Sequence, residues 1–271
     1  MLVGTAILDV PSVPTLQAVG LRNLDTMVFT PSCPTCSNGL GIFMMDNVAL
    51  TTYQVASSAD PTATVTVTGP STVSPGNTFN MSGGTVTGST PDSTLTNNGT
   101  VSGNGNINVP FTNNGTLTVT GGTLTVGSSS GGNGVVNATG GTVEITAGGT
   151  LSIGAGSSAK GALNLNGGTV QVDNGGQIAS TGGNGVAINV QSGTLVVKNG
   201  GQVALGCASG GNGVTQTGGT IIVDGTLAMT GINSGCNGLS LQSGTLQGTG
   251  TISGDLVASG GTVSPATVPA P

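Results

Sequence analysis

Two of the four cysteines lie three positions apart in Cys33-Pro-Thr-Cys36, a spacing found in redox-active and zinc-binding pairs. No helix pattern follows the pair that would activate a thiol. A zinc site would need two further ligands, and the sequence contains no histidine. We therefore predict a structural disulfide or a simple turn at Cys33 and Cys36, with no cofactor and no metal site in the chain.

Carboxylates are the second group that could do chemistry. Glu144 is the only glutamate, and the acidic residues are scattered along the chain. Glycosidases need two carboxylates that face each other, but Glu144 aligns with Gln171 and Val196 in the repeats described below. Without histidine there is also no imidazole base. We predict that the protein is not an enzyme, and a polysaccharide-active β-helix enzyme remains the least favoured alternative.

Charge limits the classes of partner. The chain has three cations against nine acids, a formal net charge of −6, and 4% charged residues in total. Binding to nucleic acid requires a basic face that neutralises phosphates, and no apolar stretch is long enough to span a membrane. The sequence therefore predicts no nucleic-acid partner and no membrane span, while its low charge density favours self-association.

The elements that would position these residues repeat about every 26 residues between Val135 and Ile252. A Gly-Gly-Thr or Ser-Gly-Thr step marks each repeat, and its threonines are Thr142, Thr169, Thr194, Thr220 and Thr245. A fixed period with slips of one or two residues is typical of a stacked β-solenoid. The less regular residues 62–130 have room for two or three more turns of the same coil.

Alternation within each repeat predicts one buried and one exposed strand face. Val143 and Ile145 share one face, while Thr142 and Glu144 share the other. Glycines between the strands allow sharp corners. The predicted fold class is all-β, a parallel β-helix (β-solenoid) of about 7–8 rungs, where a rung is one turn of about 26 residues. A non-repeating N-terminal β cap or arm precedes it.

We predict three segments: an N-terminal cap or assembly segment of residues 1–61, solenoid repeats over residues 62–265, and a C-terminal tail of residues 266–271. The first segment is poor in glycine and holds most of the bulky side chains. It can cap the open end of the solenoid, or it can be an arm that adds to a neighbouring subunit. The predicted assembly residues are Leu2, Val3, Ile7, Leu8 and Val10.

The other two cysteines fall at nearly the same phase of adjacent repeats. Cys207 follows the predicted strand start at Val186 by almost the same interval as Cys236 follows the strand start at Val214. Adjacent rungs are about 4.8 Å apart, within the roughly 4.4–6.8 Å Cα separation that a disulfide tolerates. We predict a Cys207–Cys236 disulfide that links two rungs. Cysteines that pair off indicate an oxidising, extracellular or cell-surface location.

Four Asn-X-Ser/Thr sequons are candidate glycosylation sites, at Asn80, Asn98, Asn114 and Asn137. The alternative is chance, because the sequence is rich in asparagine and threonine. These sites add weak support to an extracellular location.

The unit Gly-Gly-Thr-Val/Leu-X-Val occurs as Gly121-Gly-Thr-Leu-Thr-Val126 and as Gly167-Gly-Thr-Val-Gln-Val172. It resembles the β-strand repeats of autotransporter passengers and related secreted bacterial adhesins. The tract from Gly244 to Val257 is similar to the way such repeats end. The resemblance covers residues 62–265 and implies a β-solenoid. It does not select a function, because adhesins, matrix proteins and passengers share this repeat.

Together these features predict an extracellular structural protein, a β-solenoid subunit that self-assembles into a surface filament, sheath or matrix. Its main partners would be copies of itself, joined end to end or by strand addition. The alternative is a monomeric surface adhesin or passenger domain with cell-surface glycans as partners.

Overall fold

The computed structural model describes residues 42–45, 52–55, 63–127, 135–138, 140–153, 162–180, 187–207, 213–231 and 238–265. Every regular element in these ranges is a β-strand, and none of them contains a helix that could cross a membrane. The strands are β1 Ile42–Met45, β2 Thr52–Val55, β3 Thr64–Val67, β4 Pro70–Val73, β5 Thr78–Gly88, β6 Thr94–Asn97, β7 Thr100–Ile107, β8 Phe111–Asn113, β9 Thr116–Val126, β10 Val135–Ala138, β11 Thr142–Ile145, β12 Gly149–Ile153, β13 Ala162–Val172, β14 Gln177–Ser180, β15 Ala187–Val197, β16 Gln202–Cys207, β17 Val214–Val223, β18 Thr226–Gly231, β19 Leu239–Gly248, β20 Thr251–Ser253, β21 Leu256–Ala258 and β22 Thr262–Pro265.

Strands of successive turns pair in parallel and form three sheets along the coil. Within each turn the chain passes through these sheets in the order I, II, III. Sheet I contains β4, β6, β8, β10, the first parts of β13, β15, β17 and β19, and β21. Sheet II contains β2, the first parts of β5, β7 and β9, β11, the second parts of β13, β15, β17 and β19, and β22. Sheet III contains β1, β3, the second parts of β5, β7 and β9, β12, β14, β16, β18 and β20. The predicted parallel β-solenoid is therefore confirmed.

One residue type marks every turn, because each strand segment of sheet II begins with threonine. These residues pair in unbroken register as Thr52, Thr78, Thr100, Thr116, Thr142, Thr169, Thr194, Thr220, Thr245 and Thr262. Most intervals between successive threonines of this series have the predicted repeat length, and the coil therefore has about six turns of that length. The two intervals between Thr78 and Thr116 and the last one, which ends at Thr262, are shorter. The irregular appearance of residues 62–130 comes from shorter turns on the same coil.

The core is a set of columns formed by the inward-facing side chains of successive turns. In sheet II one such column is at most 5% exposed, and it consists of Phe79, Val101, Leu117, Val143, Val170, Leu195, Ile221 and Leu246. Branched aliphatic side chains fit this pleated, closely packed arrangement. The predicted division of Val143 and Ile145 from Thr142 and Glu144 is confirmed, because only the first pair is buried.

The glycine that precedes each threonine of this series from Thr100 onward has a steric cause at the corner between sheets I and II. A Cβ on Gly193 would collide with the carbonyl oxygen of Gly168 one turn below. The same holds for Gly219 above Gly193 and for Gly168 above Gly141. The backbones of successive turns therefore touch at this corner, and only glycine permits that approach. We call this stack the glycine column; its members from Gly115 onward are Gly115, Gly141, Gly168, Gly193, Gly219, Gly244 and Gly261.

Two strands of the coil lie in the segment predicted as the N-terminal cap or arm. The strand β1 pairs with β3 in sheet III, and β2 pairs with β5 in sheet II. The parallel register of the solenoid therefore reaches back to residue 42. Residues 1–41 and the tail 266–271 lie outside the described residues. This is also true of the predicted assembly residues Leu2, Val3, Ile7, Leu8 and Val10.

Candidate functional surfaces

The charged side chains of the described ranges concentrate at the corner between sheets II and III. Glu144 faces outward on β11, and Asp173, Lys198 and Asp224 follow the ends of three successive sheet II strands. Only Asp92 and Asp255, among the charged residues with described side chains, lie elsewhere. This sparsely charged solenoid thus carries one polar row across four adjacent turns.

Polar contacts connect three charged members of this row, Glu144, Asp173 and Lys198. Gln171 donates from Nε2 to Asp173 Oδ1 at 3.0 Å and to Glu144 Oε1 at 3.5 Å. The ammonium group of Lys198 lies 2.8 Å from Asp173 Oδ1. The predicted alignment of Glu144 with Gln171 and of Gln171 with Val196 is confirmed. The alignment alone does not indicate that Gln171 links Glu144 to an acid in the next turn.

The chemistry available to the row follows from these contacts. The Glu144 and Asp173 carboxylates share one amide donor, and Asp173 also pairs with an ammonium that is half exposed. Exposed ion pairs of this kind contribute little to stability, about 0–1 kcal/mol. No group of three or more Cys, Asp or Glu side chains in the described part of the chain could hold a metal ion. The row can connect turns and bind polar groups at the surface.

Two buried asparagines, Asn97 and Asn113, each precede an Asn-Gly step, a pattern that by itself predicts only a turn. Both are fully buried at the ends of β6 and β8 in sheet I. Asn97 donates from Nδ2 to Asn113 Oδ1 at 2.7 Å and to the Thr116 carbonyl at 2.9 Å. Asn113 donates from Nδ2 to the Thr142 carbonyl at 2.9 Å. The strand alternation was the available signal, because Leu95 and Asn97 share a face.

A third buried amide lies in the same inward column of sheet I. Gln216 pairs in register with Val190 below and Leu241 above, and it is fully buried. Its Nε2 donates to the carbonyl oxygens of Gly219 at 3.2 Å and Thr245 at 3.0 Å. Its Oε1 has no hydrogen-bond partner among the described residues. These contacts fasten the corner between sheets I and II to the next turn.

The sequons occupy different environments. The Asn80 side-chain oxygen accepts a hydrogen bond from Ser102 Oγ at 2.5 Å, and Asn80 is half-buried on sheet II. Asn114 donates from Nδ2 to Asn98 Oδ1 at 2.9 Å, so these two sequons stack on adjacent turns. Asn137 lies in β10 and pairs by backbone register with Thr112. Glycosylation at these four positions stays a prediction.

The cysteine positions are described only for Cys207, which ends β16 and pairs by backbone register with Gly231. Cys33, Cys36 and Cys236 lie outside the described residues. Cys236 follows Gly231 by five positions, in the connection that precedes β19. Both predicted disulfides remain predictions.

Peptide mapping without reductant tests the Cys207–Cys236 pairing. For a chain produced in an oxidising medium, we expect one linked peptide pair that contains Cys207 and Cys236, because a disulfide tolerates the spacing of adjacent rungs. Reduction before digestion should separate the pair and serves as the control. Alkylation of all four cysteines without prior reduction would contradict the prediction, and a Cys33–Cys207 link would replace it.

The last described turn differs from the earlier ones in exposure. Leu256 continues the inward column of Leu239, and Val263 continues that of Leu246. Leu239 and Leu246 are at most 3% exposed, whereas Leu256 is 44% and Val263 is 49% exposed. Val257 on the outer side of sheet I is 55% exposed. This end of the described coil is therefore an apolar plate bordered by the edge strands β20, β21 and β22, which we call the C-terminal plate.

Comparisons with known proteins do not assign a family. No family model matches the sequence, and no curated protein matches it. Among solved structures, the chain is similar to a fragment of TibA that was hyper-glycosylated in a reaction catalysed by TibC. The identity is 19%, the alignment covers 83% of this chain and 97% of that chain, and the TM-score is 0.15.

Proposed function

We propose that this chain is an extracellular structural protein, a β-solenoid subunit that assembles end to end with copies of itself into a filament, sheath or matrix. The C-terminal plate is the observation that carries the proposal. It exposes the kind of apolar surface that, in each earlier turn of the coil, is covered by the following turn. A second copy can continue this stacking, and a contact that does not close on itself produces a filament.

The energetics of the plate support stacking. Burial of apolar surface stabilises by about 25 cal/mol per Å², and Leu256 and Val263 retain nearly half of their exposure. Edge strands also carry unpaired backbone donors and acceptors that a further strand can satisfy. Both contributions act together when a turn of another molecule stacks on the plate.

The composition of the surface supports a structural role rather than the binding of a ligand in a specific pocket. The outer faces are formed mainly by Thr, Ser, Asn and Gln, and six side chains in the described ranges are charged. A surface with so little charge gives weak repulsion between copies. Cell-surface glycans are a second partner class that such hydroxyl- and amide-rich faces suit, and binding to them would place the chain with the adhesins.

Electron microscopy of the purified chain tests assembly, with filaments as the expected result. Leu256→Lys combined with Val263→Lys should abolish them, because two ammonium groups would be buried in the contact without partners. The matched control is Gln202→Lys combined with Gln247→Lys, which adds the same charge on exposed outer positions. A monodisperse monomer at high concentration would contradict the proposed assembly. A monomer that binds cells or glycans would favour the adhesin instead.

A further inference from the structure

Two turns of the coil have nearly identical corners between sheets II and III. One runs Asp173-Asn174-Gly175-Gly176, and the next runs Lys198-Asn199-Gly200-Gly201. Both asparagines are exposed and both are followed by a glycine with positive φ, 76° at Gly175 and 79° at Gly200. The two corners thus form a natural pair that differs in its first residue, Asp173 or Lys198, and in the neighbouring turn.

The backbone amides of the two glycines differ in their hydrogen bonds. Gly175 donates its N–H to the carbonyl oxygen of Gly200 at 3.1 Å, one turn above. Gly148 donates in the same way to Gly175 at 3.0 Å. The N–H of Gly200 has no acceptor among the described residues. Gly200 therefore ends a short series of bonds between corners.

The series ends because the following corner is shorter. Five positions separate Val197 from Gln202, but three separate their register partners Val223 and Thr226. Gly225 in this shorter corner lies over the turn so closely that a Cβ would collide with the carbonyl oxygens of Gly201 and Lys198. The two missing positions are those that would lie above Asn199 and Gly200, so these residues project beyond the turn that follows.

The asparagine side chains differ as well. A Cβ on Gly200 would collide with Oδ1 of Asn174, so the Asn174 carboxamide lies directly against the Gly200 backbone. No described residue occupies the equivalent place above Asn199, because the corner at Asp224 and Gly225 is two residues shorter. Asn174 therefore lies against the next turn, whereas the shorter corner above Asn199 offers no equivalent contact.

We propose that Asn199 is a site of spontaneous deamidation, selected by this break in the stacking of corners. The Gly200 nitrogen loses its proton to a base from solvent and attacks Cγ of Asn199. The C–N bond of the carboxamide breaks as its nitrogen takes a proton from solvent, ammonia leaves, and a five-membered succinimide forms. Water then adds to either carbonyl of the ring, which opens to aspartate or to isoaspartate. No oxidant, metal or enzyme is required, and glycine favours the attack because it carries no side chain.

The product would alter the polar row. A carboxylate at position 199 adds a negative charge beside Lys198, which pairs with Asp173. Isoaspartate would also lengthen the main chain by one methylene inside a corner that the Gly201 N–H to Lys198 carbonyl bond closes at 2.8 Å. We expect this bond to break and the corner to open locally. The proposed deamidation does not depend on whether the chain assembles.

Peptide mass spectrometry of the folded chain, aged at mildly alkaline pH, tests the proposal with Asn174 as an internal control. A hydrogen bond that must break first contributes about 1 kcal/mol, so we expect Asn199 to convert about fivefold to tenfold faster than Asn174. Both sites should convert at similar rates in the denatured chain. Equal rates in the folded chain, or faster conversion of Asn174, would overturn the proposal.

A second variant tests the cause. Inserting Asn-Gly between Asp224 and Gly225 gives the next corner the length of the two below it and supplies a carbonyl above Gly200. We expect the conversion of Asn199 to slow to the rate of Asn174, while the inserted asparagine becomes reactive. Unchanged hydrogen exchange in the other turns would show that the insertion leaves the fold intact. Conversion of Asn199 at its original rate in this folded variant would contradict the role of the missing acceptor.

Discussion

Replacing Asn113 by alanine is expected to lower the free energy of unfolding by about 2–4 kcal/mol, because buried polar groups would lose their partners. Asn113 donates to the carbonyl oxygens of Thr142 and Gly115 and accepts from Asn97. All of these groups lie inside or beside the core, where water cannot replace the lost bonds. Denaturant titration followed by circular dichroism measures the change.

The adjacent Asn114 provides the matched control. It is exposed, and its bond to Asn98 lies on the surface. Asn114→Ala should change the unfolding free energy by no more than about 0.5 kcal/mol. Equal effects of the two substitutions would show that the buried asparagine pair does not stabilise the coil. A loss of unfolding free energy in Asn113→Ala alone would show that the shorter turns require a buried amide at this corner.

The Leu195→Ala variant is expected to lose about 2–5 kcal/mol, since it opens a cavity in a fully packed column. Leu195 is completely buried and stacks between Val170 and Ile221 in adjacent turns. Each turn of a solenoid contacts only its neighbours. Hydrogen exchange should therefore accelerate first in the turns of Val170 and Ile221 and last at distant turns.

Leu256→Ala removes the same atoms from the C-terminal plate. Because Leu256 is 44% exposed, the loss should be well below that of Leu195→Ala, less than about 1.5 kcal/mol on the scale of methylene burial. A uniform rise in exchange over all turns after Leu195→Ala would contradict the nearest-neighbour picture. It would indicate that the whole coil unfolds as one cooperative unit.

The sequence predicted the parts of the fold that depend on period. The threonine spacing and the alternation around Val143 led to the parallel coil and its inward columns, because regular stacking repeats the same local physics in each turn. It did not reveal the three short turns, because the strand alternation does not determine the number of residues in each corner. The ladder from Thr52 to Thr116 was therefore not recognised as continuous.

The contacts of polar side chains were harder to predict than the apolar core. The register places Glu144 beside Gln171 of the next turn. Gln171 also bonds to Asp173, which lies in a corner and is therefore not part of the strand alternation. Buried asparagines were missed because turn propensity explained Asn97-Asn98-Gly99 without requiring an inward side chain. In both cases a contact is made with a neighbouring turn, which a local sequence rule does not include.

The glycine column has a consequence for how such a chain can change over evolutionary time. Main-chain contact at one corner sets the vertical distance between successive turns without any side chain. Length can therefore vary elsewhere without loss of pairing: three residues join Ile107 to Phe111, and eight join Ile153 to Ala162. The corner between sheets III and I therefore tolerates insertions and deletions, because the glycine column fixes the spacing of the turns at the corner between sheets I and II. A gene that encodes this coil can diversify its loops while the stacking of its turns is preserved.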